Sequence, residues 1–216
     1  VRVIDDLPLF PLELVLVPGE LLPLHIFEPR YQQMTTRCLE EDEPFAIVLQ
    51  DDEGMRDTGC TARIVEVLER FPDGRSNIVI EGEAPVRLIE VRDAHAYRSA
   101  TAEVLTDAPA EAPESLQEAA LAAYGLLVDE LPGAVAEAPD AGPGLSYEIV
   151  ARIELGRDVK QSLLEDRDER RRIEMVVELL SEVRRGVVMT REMQERARRN
   201  GRVRTPEELA RELGLD

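Results

Sequence analysis

A chain of 216 residues that is 44% hydrophobic and 33% charged can bury a core without disulfides or metal, which excludes a disordered class. Its 45 acidic and 26 basic residues leave a net charge of −19, which argues against nucleic acid and anionic membrane as partners. No apolar run approaches the roughly 20 residues of a membrane helix, and the acidic start Val1–Asp6 is unlike a signal peptide, so a cytoplasmic protein is expected.

The first hundred residues read as β-rich. Leu7–Val17 is apolar, but Pro8 and Pro11 fall inside the run. A proline cannot donate to a ladder, so this is an edge or bent strand. Pro18-Gly19 turns the chain, and Leu21–Phe27 is a second short apolar run. Pro29 suits a first helical position, with Met34, Cys38 and Leu39 at helical spacing before the acids Glu40–Glu43. Phe45–Leu49 is a compact buried strand. Thr61–Phe71 alternates charge with β-branched residues, Pro72-Asp73-Gly74 turns, and Asn77–Ile80 returns as the second arm of a hairpin. Val86–Val91 and Tyr97–Leu105 supply two more strands.

Residues 106–114 read as a linker of Ala, Pro and acids. Leu116–Leu131 and Leu145–Leu155 read as helices either side of a Pro/Gly/Ala loop. Asp158 is expected to cap a short helix holding Leu163 and Leu164. Asp166 with Glu169 resembles a capping box ahead of the stripe Ile173, Val176, Val177, Leu180 and Val183. Met189–Arg199 continues helically, and Thr205-Pro206-Glu207-Glu208 is a further helix start.

Charge is uneven: −12 over residues 1–110, −8 over 111–165 and +1 over 166–216. Cys38 and Cys60 form no CxxC and have no nearby His, so both are expected as buried apolar residues. Neither a metal nor a cofactor is expected.

The run Leu7–Tyr31, LPLFPLELVLVPGELLPLHIFEPRY, resembles the N-terminal substrate-binding domain of the ATP-dependent protease Lon, in a stand-alone bacterial form. Gly59–Val67 (GCTARIVEV), the turn Phe71–Arg75 and Ile78–Gly82 (IVIEG) follow in that family's order, as does Lys160–Glu165 (KQSLLE). The family usually has an aromatic or Arg after the Gly; Glu83-Ala84-Pro85-Val86-Arg87 departs from that. The likeness covers residues 5–186. It implies an α+β fold: a PUA-like β pseudo-barrel over residues 1–108, then a C-terminal α-helical bundle subdomain over 115–216.

A whole Lon protease also needs nucleotide and peptidase chemistry. The nearest string to a phosphate loop, Gly54–Thr61, has Cys60 where the lysine must stand. Lys160 is the only lysine, and Ser162 lies two residues on, so on a helix they face apart. His25 and His95 have no nucleophile in a sharp turn nearby. A non-catalytic protein- or peptide-binding module, acting as an adaptor in protein quality control, is therefore expected.

The candidate binding residues are His25, Phe27, Glu28, Arg30, Tyr31, Phe71, Arg75 and Glu81. A bland reading stands beside this one. Glu28 caps the helix and pairs with Arg30, while Phe27 and Tyr31 lock the helix onto the barrel. Asp73-Gly74-Arg75 reads as hairpin chemistry, and Gly82 as a bulge. The resemblance implies unfolded or extended polypeptide as partner, with a separate protease to receive it. Arg184, Arg185, Arg191, Arg196, Arg198, Arg199, Arg202 and Arg204 are a candidate surface for a homo-oligomer or a solvated face. The alternatives are a PUA-like RNA binder on the same arginines and a small-ligand sensor in a cleft between barrel and helices.

Overall fold

The computed structural model describes residues 2–108, 112–131 and 138–200, except the side chains of 198–200. The expected helix start at Thr205, and Arg202 and Arg204, lie outside the described residues.

Six strands and five helices follow in chain order: β1 (Arg2–Leu12), β2 (Leu21–Ile26), α1 (Pro29–Glu41), β3 (Phe45–Asp51), β4 (Gly54–Arg70), β5 (Ser76–Arg92), β6 (Ser99–Val104), α2 (Glu114–Val128), α3 (Leu145–Val150), α4 (Arg157–Glu165) and α5 (Glu169–Asn200). The strands form one mixed sheet in the order β2-β5-β4-β3-β1-β6, with β5 also touching β6. Only β1 and β3 run parallel.

This corrects the expected PUA-like β pseudo-barrel. The 17-residue β5 is too long to serve as one stave. It stays on β4 along most of its length, but its other edge takes β2 at Ser76–Glu81 and β6 at Val86–Arg92. The sheet curls where β5 meets β6, and β2 is left outside as a terminal strand. Register shifts after Thr61 and after Leu88 provide the bends, since a bulge adds local twist.

The prolines of β1 are accommodated by a change of partner. Residues 2–8 pair with β6 and residues 9–12 with β3, so neither end is a fully paired central strand. The β4–β5 hairpin turns at Pro72-Asp73-Gly74 as expected. Gly74 has φ +89° and its N–H donates to the Phe71 carbonyl at 3.0 Å.

α1 begins at Pro29 and buries Tyr31, Met34, Thr35 and Cys38, whereas Leu39 stays 38% exposed. The Thr35 hydroxyl turns back onto the Tyr31 carbonyl at 2.9 Å, so a polar residue takes the inner face. Both cysteines are buried, and burial pushes both thiols up.

One buried cluster joins sheet to helices, from Phe10, Val15–Val17, Ile78 and Ile80 to Leu127, Leu145, Leu163, Ile173 and Leu180. A smaller one, with Leu7, Leu9, Val48, Val86 and Ala100, lies within the curl of the sheet.

Two expected caps are corrected. Asp158 lies in the first turn of α4, behind Gly156 at the cap. At α5 the capping carboxylate is Asp168, which accepts from the Arg170 N–H at 3.0 Å. Glu169 instead turns inward, accepting from the Ser146 N–H at 3.0 Å and hydroxyl at 2.7 Å.

Arg172 is fully buried beside it. Its guanidinium donates to Asp107, Glu169, the Ser146 hydroxyl and the Asp166 carbonyl, and lies 4.3 Å over the Tyr147 ring. Asp107 belongs to the stretch expected as a linker. There the Ala108 N–H donates to the Arg167 carbonyl at 2.8 Å, so residues 107–108 are pinned to the helices.

Candidate functional site

β2 alternates along its length, and His25 faces out where Ile26 faces the core. Opposite His25 in register stands Asn77 on β5, and opposite Asn77 stands Glu69 on β4. The Asn77 amide donates to Glu69 Oε2 at 3.2 Å, which turns its oxygen to His25 Nδ1 at 2.6 Å. Nδ1 is therefore the donor.

The chain leaves β2 at Phe27 and enters α1 at Pro29, so Phe27 projects with 61% of its surface exposed. Its ring stacks beside His25 at 6.0 Å. The β4–β5 turn brings Phe71 edge-on to His25 at 6.1 Å. Arg75 lies 5.1 Å over Phe71 and is held by Asp73 at 2.7 Å. His25, Phe27, Phe71 and Arg75 thus form one aromatic group at the end of the outermost strand, with Phe27 exposed and Phe71 half-buried.

The other four candidates lie apart from it. Glu28 occupies the α1 cap position without a side-chain cap bond and pairs with Arg30 at 2.7 Å. Tyr31 is buried against Phe10, with ring centroids 4.1 Å apart, and carries Arg30 over its outer face at 4.6 Å. Tyr31 therefore anchors the helix, whereas Phe27 does not. Glu81 is opposite Leu21, at the far end of β2 from His25.

Sequence reasoning missed Leu21, Val65 and Leu68, which β2 and β4 expose at 61%, 48% and 55%. The available signal was the apolar–charged alternation after Thr61, which spreads apolar residues over both faces once bulges shift the register.

Lys160 Nζ meets Glu20, and the Ser162 hydroxyl donates to the Asp158 carbonyl at 2.9 Å, so the two do not form a dyad. Gly54–Thr61 lies in β4, with no helix start to cradle a phosphate. Among the described residues no group of three or more His, Cys, Asp or Glu is placed to hold a metal ion, and no helix is long and apolar enough to cross a membrane.

A family model described as the ATP-dependent protease La (LON) substrate-binding domain matches residues 6–182. The Lon protease of Parabacteroides distasonis is 31% identical over 147 residues, covering 64% of this chain and 18% of that protein. Lon protease 2 of Myxococcus xanthus is 28% identical over 196 residues, covering 82% of this chain and 24% of that protein. The chain thus spans less than a quarter of the length of these relatives.

Two solved structures share the fold. A Lon N-terminal domain protein from Xanthomonas campestris has a TM-score of 0.64 at 24% identity, over 81% of this chain and 98% of that one. The N-terminal domain of the Mycobacterium avium complex Lon protease has a TM-score of 0.58 at 17% identity, over 82% and 98%. Because the family model spans nearly the whole described sheet and helices, the chain belongs to the Lon substrate-binding domain family, and what it carries of that protease is the non-catalytic substrate-binding module.

Proposed function

We propose that the chain binds extended or unfolded polypeptide on the outer face of β2, β5 and β4. The observation that carries this reading is the aromatic group of exposed His25 and Phe27 and half-buried Phe71 at the end of a terminal strand. Exposed aromatics with few rotatable bonds are effective contacts for apolar side chains. The unpaired edge of β2 offers main-chain hydrogen bonds to an added strand, which is tolerant of sequence. Arg75 over Phe71 offers a charged contact at the rim. An adaptor role in protein quality control follows, in the cytoplasm, with clients passed to a separate protease.

Nucleic acid is disfavoured as a ligand. On α5 Arg191 pairs with Glu130 at 2.8 Å and Arg184 with the same carboxylate at 3.4 Å, so these two basic residues are matched within the chain. Self-association through α5 has support from Met189 and Met193, 58% and 55% exposed on a helix with nine arginines against six glutamates, in a chain of net charge −19. Sedimentation over a concentration series reads it.

The deciding experiment is fluorescence anisotropy with labelled reduced casein and a labelled folded control at low and moderate salt. Micromolar binding that favours casein and resists salt is expected. Equal binding of both, or none, overturns the reading.

A further inference from the structure

Arg30 and Arg98 reach one cavity from two elements. Arg30 lies in the first turn of α1, and Arg98 directly precedes β6, where its carbonyl accepts from the Leu9 N–H at 2.8 Å. The cavity has a volume of about 580 Å³, within the range of small-ligand sites. Tyr31 also borders the cavity and carries the Arg30 guanidinium over its ring at 4.6 Å. Burial and then Glu28 push its phenol up, which Arg30 and Arg98 offset only in part.

The two arginines keep spare donors. Arg30 spends Nε and Nη2 on Glu28, and Arg98 has only Asp93, at 3.4 Å from Nε. Among the described residues the remaining guanidinium N–H groups have no protein acceptor. Their side chains are about half exposed, at 51% and 47%. The lining also includes His95 and Tyr97, stacked at 5.0 Å, with Pro11 and Leu12, and Asp6 holds His95 Nε2 at 3.0 Å. Glu13 and Asp93 also border the cavity. With Glu28 on Arg30, three carboxylates stand around the two guanidiniums, so a dianion such as phosphate is disfavoured and what the site offers a ligand is its spare N–H donors.

We propose that this cavity is a carboxylate-binding site: Arg30 and Arg98 clamp a single carboxylate, and the body of the ligand rests on Tyr97, His95 and Leu12. The ligand class is a monocarboxylate with an apolar or aromatic body. A peptide's C-terminal residue and a free small organic acid share that chemistry. A guanidinium suits it because its planar fork meets both carboxylate oxygens. The site is separate from the aromatic group at Phe27, so polypeptide binding there and carboxylate binding here fail independently.

The test uses the full chain and two probe pairs, read by calorimetry or anisotropy. One pair is N-acetylphenylalanine and its amide. The other is a fluorescein-labelled octapeptide ending in phenylalanine, as free acid and as C-terminal amide. In at least one pair the acid is expected to bind about ten-fold tighter or more than its amide, since charge-assisted bonds are lost in the amide. Arg30→Ala and Arg98→Ala should each bring that preference to within about two-fold, in chains whose circular dichroism is unchanged. Preference for the acid in both pairs identifies a peptide C-terminus as a ligand; preference only in the small pair identifies a free organic acid. Equal affinity for acid and amide in both pairs, or no binding, overturns the proposal, and this comparison needs no variant. A preference that survives both substitutions also overturns it.

Discussion

Lys160, the single lysine of the chain, puts its Nζ 2.5 Å from Glu20 Oε1. The pair joins α4 to the connection between β1 and β2, with side chains only 10% and 16% exposed. The other Glu20 oxygen accepts from the Val17 N–H at 3.2 Å. Lys160→Met would leave a carboxylate desolvated and unpaired, at a cost of about 3 kcal/mol. Replacing both by methionine should recover most of that loss, because the uncompensated charge goes as well. Urea unfolding of the two variants reads this. A single variant as stable as the parent would mean that water relieves Glu20.

Gly82 fits where a methyl group does not. An added Cβ would lie 2.2 Å from the Val17 carbonyl oxygen, which is backbone and cannot rotate away. The same contact carries two hydrogen bonds: Gly19 N–H to the Gly82 carbonyl at 2.8 Å, and Gly82 N–H to the Glu20 carbonyl at 3.0 Å. Gly82→Ala must push the β1–β2 connection off β5, and a loss of about 3 kcal/mol is expected, at the upper end for overpacking. A thermal melt checks it; a melting point unchanged to within a degree would contradict the close approach.

Acid should act through Asp107. Burial pushes its carboxyl up, but the hydrogen bond and charge of Arg172, with Arg167, outweigh that and hold it below the usual aspartate value. A depressed folded pKa means that the unfolded chain takes up the proton first. The stabilisation is complete above about pH 4 and is lost as pH falls through the lower folded value. Asp107→Asn should be less stable at neutral pH and lose less stability between pH 5 and 3 than the parent. Urea midpoints at those pH values decide it, and parallel curves would remove Asp107 from the account.

Much of the fold was legible because local chemistry and tertiary demand agreed. Pro29 opened α1, the Pro72-Asp73-Gly74 turn closed the β4–β5 hairpin, and Ile173, Val176 and Leu180 bury one face of α5. The strand order of the sheet was not legible. It depends on which partner each half of β5 takes, and a strand's own residues do not encode that. Asp107 and Glu169 misled for a related reason. An acid in an Ala/Pro stretch or a first helical turn looks solvated until a buried Arg172 appears opposite. At the candidate site, residue types pointed to His25, Phe27, Phe71 and Arg75, but spacing alone could not separate them from Tyr31, which packs inward.

Phe27 separates the binding reading from the bland one. A ring that locks a helix onto a sheet is costly to remove, whereas one with 61% of its surface in water is not. Phe27→Ala should change unfolding stability by less than about 0.5 kcal/mol. It should weaken binding of reduced casein by roughly ten-fold or more, as truncation of an aromatic anchor does. Phe71→Ala should act in the same direction, since Phe71 packs edge-on against His25. Ile89→Ser is the matched control: Ile89 is 59% exposed on the half of β5 that pairs with β6, away from the aromatic group. Anisotropy titrations of the three variants against labelled casein then discriminate. Loss confined to the two phenylalanine variants fits recognition at the end of β2. Equal loss in all three would mean that casein adheres to any exposed apolar side chain, and the aromatic group would have no special part in recognition.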